Sequence, residues 1–350
     1  SVLCSQYLGA RLHDKVVQVV GVSLLLNVLI GLAVSAALYL GAPFLLHLMG
    51  LRDNLMAYGV SYMEIVGAFA FFQAISLTIS ASLKSADKAI YPMLVVVVVN
   101  VLNIIGNYAL IFGKFGLPAM GVEGAAISTS FARGVSMVIL FVILFRKHIP
   151  SFPMKIFRPF PWGELKVLLK IGLPSAGEHM SYNFSQVVLT YFINMLGNEA
   201  LTARTYVVNT VMFVYLFTIA MAQGGAICIG HLVGDKRIRG AYLLGKYVMR
   251  LSVLVAVSLS CVWALMGKTM FGWLTDNPEV IRLGVMVLYV DILLEIGKSI
   301  NIYATNALRA TGDVLCRCHR TMGRGCGLRI SVRSALGLGI GRHVVCLHAR

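Results

Sequence analysis

The sequence KIGLPSAGEHMSYNFSQ, residues 170–186, places an acid, a tyrosine and an amide in an otherwise apolar segment. At about 100° per residue, Glu178, Tyr182 and Gln186 share one face of a helix. A charged group inside a membrane span costs roughly 2.5–3.5 kcal/mol on insertion scales, so such groups usually face a bundle interior or a water-filled cavity. The stretch therefore predicts a membrane helix that forms one wall of a hydrated cavity. The alternative is a hydrogen-bonded packing seam between helices.

The composition defines the class of protein. Hydrophobic residues make up 58% of the 350 positions and charged residues only 13%, and the apolar runs are too long for a soluble core. We therefore predict an all-α polytopic membrane protein. Eight segments have close to the roughly 20 residues that a bilayer requires: about 16–40, 56–82, 90–112, 121–145, 168–194, 203–230, 243–267 and 281–306.

The basic residues orient these spans. A net charge of +16 would favour nucleic acid in a soluble chain, but most Lys and Arg residues here lie between apolar runs. We therefore predict membrane lipids, and no nucleic acid, as partners. The positive-inside rule places the connections after the second, fourth and sixth spans in the cytoplasm. The longest connection, 146–165, is rich in proline and predicts a linker between an N-terminal lobe (1–145) and a C-terminal lobe (166–313).

The two lobes have similar sequences at a constant shift, which we call the internal repeat. Residues 6–9 (QYLG) align with 231–234 (HLVG), and the same shift holds without a gap for about eighty residues. Six spans separate equivalent positions, so both copies have the same orientation in the membrane. Two such bundles, related by an axis along the membrane normal, are typical of alternating access.

Residues 314–350 have a different character. They contain seven Arg, four Cys and three His but no Asp, Glu or Lys, whereas the internal repeat predicts another span near 315–337. We interpret this tail as out of frame. A soft-metal site formed by Cys316, Cys318, His319 and Cys326 is the alternative, but the spacing matches no common zinc motif.

Four motifs together resemble the multidrug and toxic compound extrusion (MATE) family. They are QYLGAR (6–11), GVEGAAIST (121–129), GLPS (172–175) and ALRATGD (307–313). The resemblance implies a two-lobe bundle of twelve spans, of which about eight, the third to the tenth, are present here. It further implies export of organic cations and other amphipathic drugs in exchange for Na⁺ or H⁺, with no other cofactor.

The resemblance also implies candidate residues for ion or substrate binding. In the N-terminal lobe, Asn103 and Thr129 match an Asn and a Thr of the family's cation site, and Asn107 stands where an Asp is often found. In the C-terminal lobe, Glu178 is the matching carboxylate, with Tyr182 and Gln186 on its face. Asp291 and Glu295 lie near the family's tenth-span aspartate.

Two intramembrane ion pairs are also predicted. Glu295 and Lys298 are i, i+3 neighbours that can neutralise each other. Arg133 and Glu64 lie at compatible depths on neighbouring spans, given the helical rise of about 1.5 Å per residue. Both pairs favour a structural role over ion coupling.

We expect a monomeric secondary antiporter in a bacterial inner membrane. No enzyme is predicted, because His-Glu-x-x-His, Gly-x-Ser-x-Gly and a complete Gly-x-x-x-x-Gly-Lys-Ser/Thr loop are all absent from the sequence. Two alternatives stay open: a flippase for lipid-linked oligosaccharides, and a truncated membrane fragment that transports nothing.

The out-of-frame interpretation of the tail makes the first testable prediction. Sequencing the source gene around codon 314 should reveal an inserted or deleted nucleotide, and restoring the frame should yield an apolar span near 315–337. An intact frame at codon 314 would refute the interpretation.

Overall fold

The computed structural model describes residues 1–48, 53–148, 161–195 and 198–312. The tail from residue 313 and most of the predicted linker lie outside these ranges. Every long element in the described ranges is an α-helix: α1 (Val2–Gly9), α2 (His13–Leu48), α3 (Asp53–Ala68), α4 (Ala70–Ser85), α5 (Ile90–Phe112), α6 (Gly121–Ile143), α7 (Trp162–Asn194), α8 (Asn198–Gly234), α9 (Ile238–Leu274) and α10 (Pro278–Ala310). A short π-helical turn, Leu144–His148, continues α6.

The predicted all-helical membrane fold is confirmed. Each of the eight predicted spans falls in a helix, or in the pair α3 and α4. By length and apolar composition, α2, α5, α6, α8 and α9 can cross a membrane, and the α3–α4 pair, bent by 43°, can be a sixth span. The remaining long helices, α7 and α10, carry the predicted carboxylates. These two helices do not meet the same test of length and apolar composition.

The chain divides into two compact units, one up to Leu168 and the other from Leu169 onward. In the first unit, α2 packs on α3 and α4, α5 packs on α6, and α3 and α4 also contact α6. In the second unit, α8, α9 and α10 pack on one another. The boundary between the units falls inside α7.

The helix boundaries follow the internal repeat. Helix α2 begins at His13 and α9 at the equivalent Ile238, and the pair α3 and α4 covers 53–85 where α10 covers 278–310. The turn before α2 and the turn before α9 each contain a residue at φ 59°, Arg11 and Lys236. The left-handed conformation is uncommon for residues with a side chain, so its recurrence at equivalent positions marks a shared turn.

The second unit packs through small side chains. On α9, Ser252, Ala256, Ser260 and Ala264 recur every four residues, and all four are buried. This spacing places them on one face, where small residues let neighbouring helices approach closely. Because lipid supplies no hydrophobic drive between helices, close packing of this kind helps to hold the three helices together.

A polar cluster connects the start of α7 to α1 within the first unit. The Tyr7 hydroxyl donates to Glu164 Oε2 at 2.8 Å, and Lys15 Nζ lies 3.5 Å from Glu164 Oε1. Partial burial and this hydrogen bond raise the pKa of Tyr7 to about 12, so the phenol keeps its proton at any physiological pH.

Close packing of α6 on α5 makes the second prediction. A methyl group added at Gly124 would lie 2.6 Å from the Leu110 carbonyl oxygen, so Gly124→Ala should separate the helices and cost about 1–3 kcal/mol. The thermal midpoint of the detergent-solubilised protein should fall. Gly224→Ala in α8 is the matched control, because nothing lies within 4 Å of its added methyl. Equal midpoints for Gly124→Ala and the parent protein would contradict the packing.

Candidate functional site

The three polar residues predicted in the N-terminal lobe come together in the first unit. The Asn103 side-chain amide donates to Thr129 Oγ1 at 3.4 Å, and Asn107 Nδ2 donates to Asn103 Oδ1 at 3.1 Å. Ser128 Oγ donates to the Asn103 backbone carbonyl at 3.2 Å. The bonds to Thr129 and from Ser128 join α5 to α6, and the Asn107–Asn103 bond extends this polar seam along α5.

A cavity of about 310 Å³ lies beside this seam, between α4, α5 and α6. Eight of its thirteen lining residues are polar, and they carry hydroxyls, side-chain amides and one guanidinium. The lining residues are Gln73, Ser76, Leu77, Ser80, Val96, Val99, Asn100, Asn103, Thr129, Ala132, Arg133, Ser136 and Leu140. None of them carries a carboxylate, so the only formal charge on the cavity wall is positive.

The predicted ion pair between Arg133 and Glu64 is wrong. No carboxylate oxygen of the described residues lies within 4 Å of the Arg133 guanidinium. The side chains of Arg133 and Glu64 are both partly buried. Compatible depth in the membrane is not sufficient for pairing, because the side chains must also face each other around their helix axes. Arg133 instead contributes to the cavity wall.

The predicted pair of Glu295 and Lys298 is confirmed in the second unit. Lys298 Nζ donates to Glu295 Oε2 at 2.8 Å, and Ser299 Oγ donates to Glu295 Oε1 at 3.2 Å. Glu295 is fully buried, and Lys298 also lies 5.8 Å from the centre of the Tyr215 ring. Both carboxylate oxygens of Glu295 are therefore occupied by partners from the protein.

Asp291 lies one turn before this pair on α10. Its Oδ2 atom is buried and has no hydrogen-bond partner within the part of the chain that the structure describes. A buried carboxylate oxygen without a donor is costly in a membrane helix, and a bound proton or cation would lower that cost. Of the three predicted carboxylates, Asp291 is the one with a buried oxygen that lacks a hydrogen-bond partner among the described residues.

Two of the three predicted residues of α7, Glu178 and Gln186, accept hydrogen bonds from arginines of the same unit. Arg309 Nη2 donates to Glu178 Oε2 at 2.6 Å, and Arg204 donates to Gln186 Oε1 at 3.2 Å and to Thr190 Oγ1 at 2.5 Å. In the sequence of α7, Tyr182 lies between Glu178 and Gln186, and it is 59% exposed. Sequence reasoning missed both arginine partners, since it treated each arginine as a topological signal at a helix end.

The all-helical fold and its long apolar helices define the class as a polytopic membrane protein, and the comparison with known families identifies which family. The family model MatE matches residues 1–109 and 174–318. The chain therefore belongs to the MATE family, whose members are membrane transporters and not enzymes.

Two curated bacterial relatives align over most of the chain. The uncharacterized transporter YisQ of Bacillus subtilis is 37% identical over 343 residues, which cover 97% of this chain and 75% of that protein. A probable multidrug resistance protein NorM of Thermotoga maritima is 26% identical, with 90% of this chain and 68% of that protein covered. The YisQ alignment runs beyond residue 313 into the tail, whose reading frame stays a prediction.

Solved structures show the same fold. A variant of the Vibrio cholerae MATE transporter VcmN matches with a TM-score of 0.81 at 20% identity, and the match covers 99% of this chain and 74% of that one. At this level of identity the likeness establishes the fold alone.

The buried pair on α10 makes the third prediction. Lys298→Met should leave the fully buried Glu295 charge without its cation and cost roughly 3 kcal/mol. Combining it with Glu295→Gln should restore most of the thermal stability in detergent. The matched control is Arg282→Met, which breaks an exposed i, i+3 pair with Glu279 on the same helix, for which the expected cost is under about 1 kcal/mol. Equal losses for the two single variants would refute a structural role for the buried pair.

Proposed function

We propose that the protein is a secondary active antiporter that exports amphipathic organic cations and related drugs in exchange for Na⁺ or H⁺. Membership of the MATE family and the multidrug resistance proteins among its relatives support drug efflux. The observation that carries the coupling mechanism is the buried Oδ2 of Asp291, which has no partner among the described residues.

The proposed mechanism places the coupling ion at Asp291. A proton or Na⁺ bound there neutralises the carboxylate and lowers the cost of holding it inside the membrane. A cationic substrate that approaches the same carboxylate competes with the ion, so the two are exchanged. The neighbouring pair of Glu295 and Lys298 is internally neutral and fixes this face of α10.

Glu178 is the second candidate for coupling. Its side chain is 54% exposed, and its carboxylate is already paired with Arg309. A coupling role for Glu178 therefore requires the ion or the substrate to displace the arginine. Asp291 requires no such displacement, which makes it the stronger candidate.

The remaining features of the proposal concern the setting of the protein. We propose a monomer in a bacterial inner membrane, surrounded by lipid, with small amphipathic molecules as substrates. The proposed antiport uses the coupling ion and no other cofactor. The positively charged connections agree with an inner-membrane orientation, and the relatives named above are bacterial.

Transport by Asp291→Asn makes the fourth prediction. The protein is reconstituted into liposomes, and ethidium transport is followed by fluorescence under an imposed Na⁺ or H⁺ gradient. Removing the charge should reduce gradient-driven transport by at least about tenfold, since a neutral amide cannot exchange a cation. Asp276→Asn, an exposed acid between α9 and α10, has the same change in charge and should transport normally.

The same assay separates Asp291 from Glu178. Gradient-driven transport that survives in Asp291→Asn but is lost in Glu178→Gln would assign coupling to Glu178 and overturn the assignment to Asp291. Absence of ethidium transport by the parent protein under both gradients would contradict cation antiport altogether.

A further inference from the structure

We propose that the cavity between α4, α5 and α6 of the first unit binds the anionic group of a small amphipathic molecule, with Arg133 as its positive anchor. The proposal concerns a different site from Asp291 and does not depend on the antiport described above.

The charge on the cavity wall is the first support. Arg133 is the ionisable residue among the lining side chains, and none of the others is acidic. It lies twelve residues from the start of the 23-residue helix α6, which places it near the middle of a span. An arginine at that depth is costly and usually has a partner. No carboxylate of the described residues supplies one.

A second, independent observation is the hydroxyl of Ser76. Its side chain is only 5% exposed, lines the same cavity, and leaves Oγ without a hydrogen-bond partner in the described parts of the chain. A buried hydroxyl normally finds a partner. An anion held by Arg133 would accept its proton, together with those of nearby hydroxyls and amides.

The polar seam favours an anion over a cation for a further reason. Na⁺ is bound by oxygen atoms, preferably anionic ones. Asn103 Oδ1 already accepts from Asn107, and Thr129 Oγ1 already accepts from Asn103. Those two oxygens are thus directed at protein donors, whereas Asn107 Oδ1 is buried without a partner among the described residues but does not line the cavity. A cation at this wall would also be repelled by Arg133.

The size of the cavity limits the ligand. About 310 Å³ is at the lower end of the range for small-molecule sites, which run from roughly 300 to 1,000 Å³. It accommodates a carboxylate, sulfonate or phosphate group with a short apolar attachment. Leu77, Val96, Val99 and Leu140 supply apolar wall for that attachment.

Three related probes test the charge preference directly. Naphthylacetate is an anion, naphthylacetamide is neutral and naphthylethylamine is a cation, while all three share one ring system. Their binding to the protein in phosphatidylcholine nanodiscs is measured by calorimetry, with empty nanodiscs as the blank. The anion should bind at least about tenfold more tightly than the cation, as expected for one charge-assisted contact.

Variants assign that preference to the cavity. Arg133→Gln should weaken naphthylacetate binding at least about tenfold and leave the cation unaffected, whereas Arg133→Lys should retain most of the binding. Ser76→Ala should weaken it by a smaller factor. Lys84→Gln is the matched control, because it removes one exposed positive charge at the end of α4, outside the cavity lining.

The outcomes separate the sources of the anion. If phosphatidylglycerol in the nanodisc displaces naphthylacetate from the parent protein, the site takes a lipid headgroup; if it does not, the site takes a free solute. Equal affinity for the three probes would overturn the proposal. So would unchanged naphthylacetate binding in an Arg133→Gln variant that stays monodisperse.

Discussion

Hydrocarbon forms no hydrogen bonds, and every polar group of this chain that enters a membrane must find its partner inside the protein. The helices pair the backbone N–H and C=O groups with one another. Hydroxyl side chains donate to a carbonyl of the preceding turn, as Thr78 does to Ala74 and Thr210 does to Tyr206. Against that background, two side chains are informative: Asp291, whose buried Oδ2 lacks a partner among the described residues, and Arg133, which has no carboxylate of those residues within 4 Å. Their cost is tolerated where a ligand can supply the missing contact.

The fold could be predicted from sequence because its determinants are local. Long apolar runs specify membrane helices wherever they occur, and the internal repeat carries helix boundaries and turn conformations together. Arg11 and Lys236 have different adjacent residues and neither is itself a glycine, yet both adopt φ 59°. Equivalent hydrogen bonds close the two turns: Leu12 N–H donates to the Tyr7 carbonyl and Arg237 N–H to the Leu232 carbonyl. A repeat of this kind is visible in the sequence before any coordinates are known.

The site was predictable only where partners are close in sequence or matched by a family motif. Glu295 and Lys298 are three residues apart on one helix, so spacing alone fixes their contact. Asn103 and Thr129 lie on consecutive helices, and the resemblance to the family indicated them both. Arg309 and Glu178 are 131 residues apart, and nothing in either stretch encodes the distance between them. The Arg133–Glu64 prediction failed for a related reason: residue counting gives the depth of a side chain but not the direction in which it points around the helix.

The internal repeat preserves helix positions and not the charges they carry. It aligns Lys298 with Gln73 and Glu295 with Ala70, so the charged face of α10 is neutral at the equivalent positions of the first unit. In the first unit, the charged residue on the cavity wall is Arg133 on α6, and its charge is positive. The two candidate sites therefore lie on different helices of the two units and carry charges of opposite sign. A cation would meet an available carboxylate in the second unit and a guanidinium in the first. The two proposals thus assign opposite preferences for ligand charge to the two units, as Coulomb's law at low dielectric requires of walls with opposite charge.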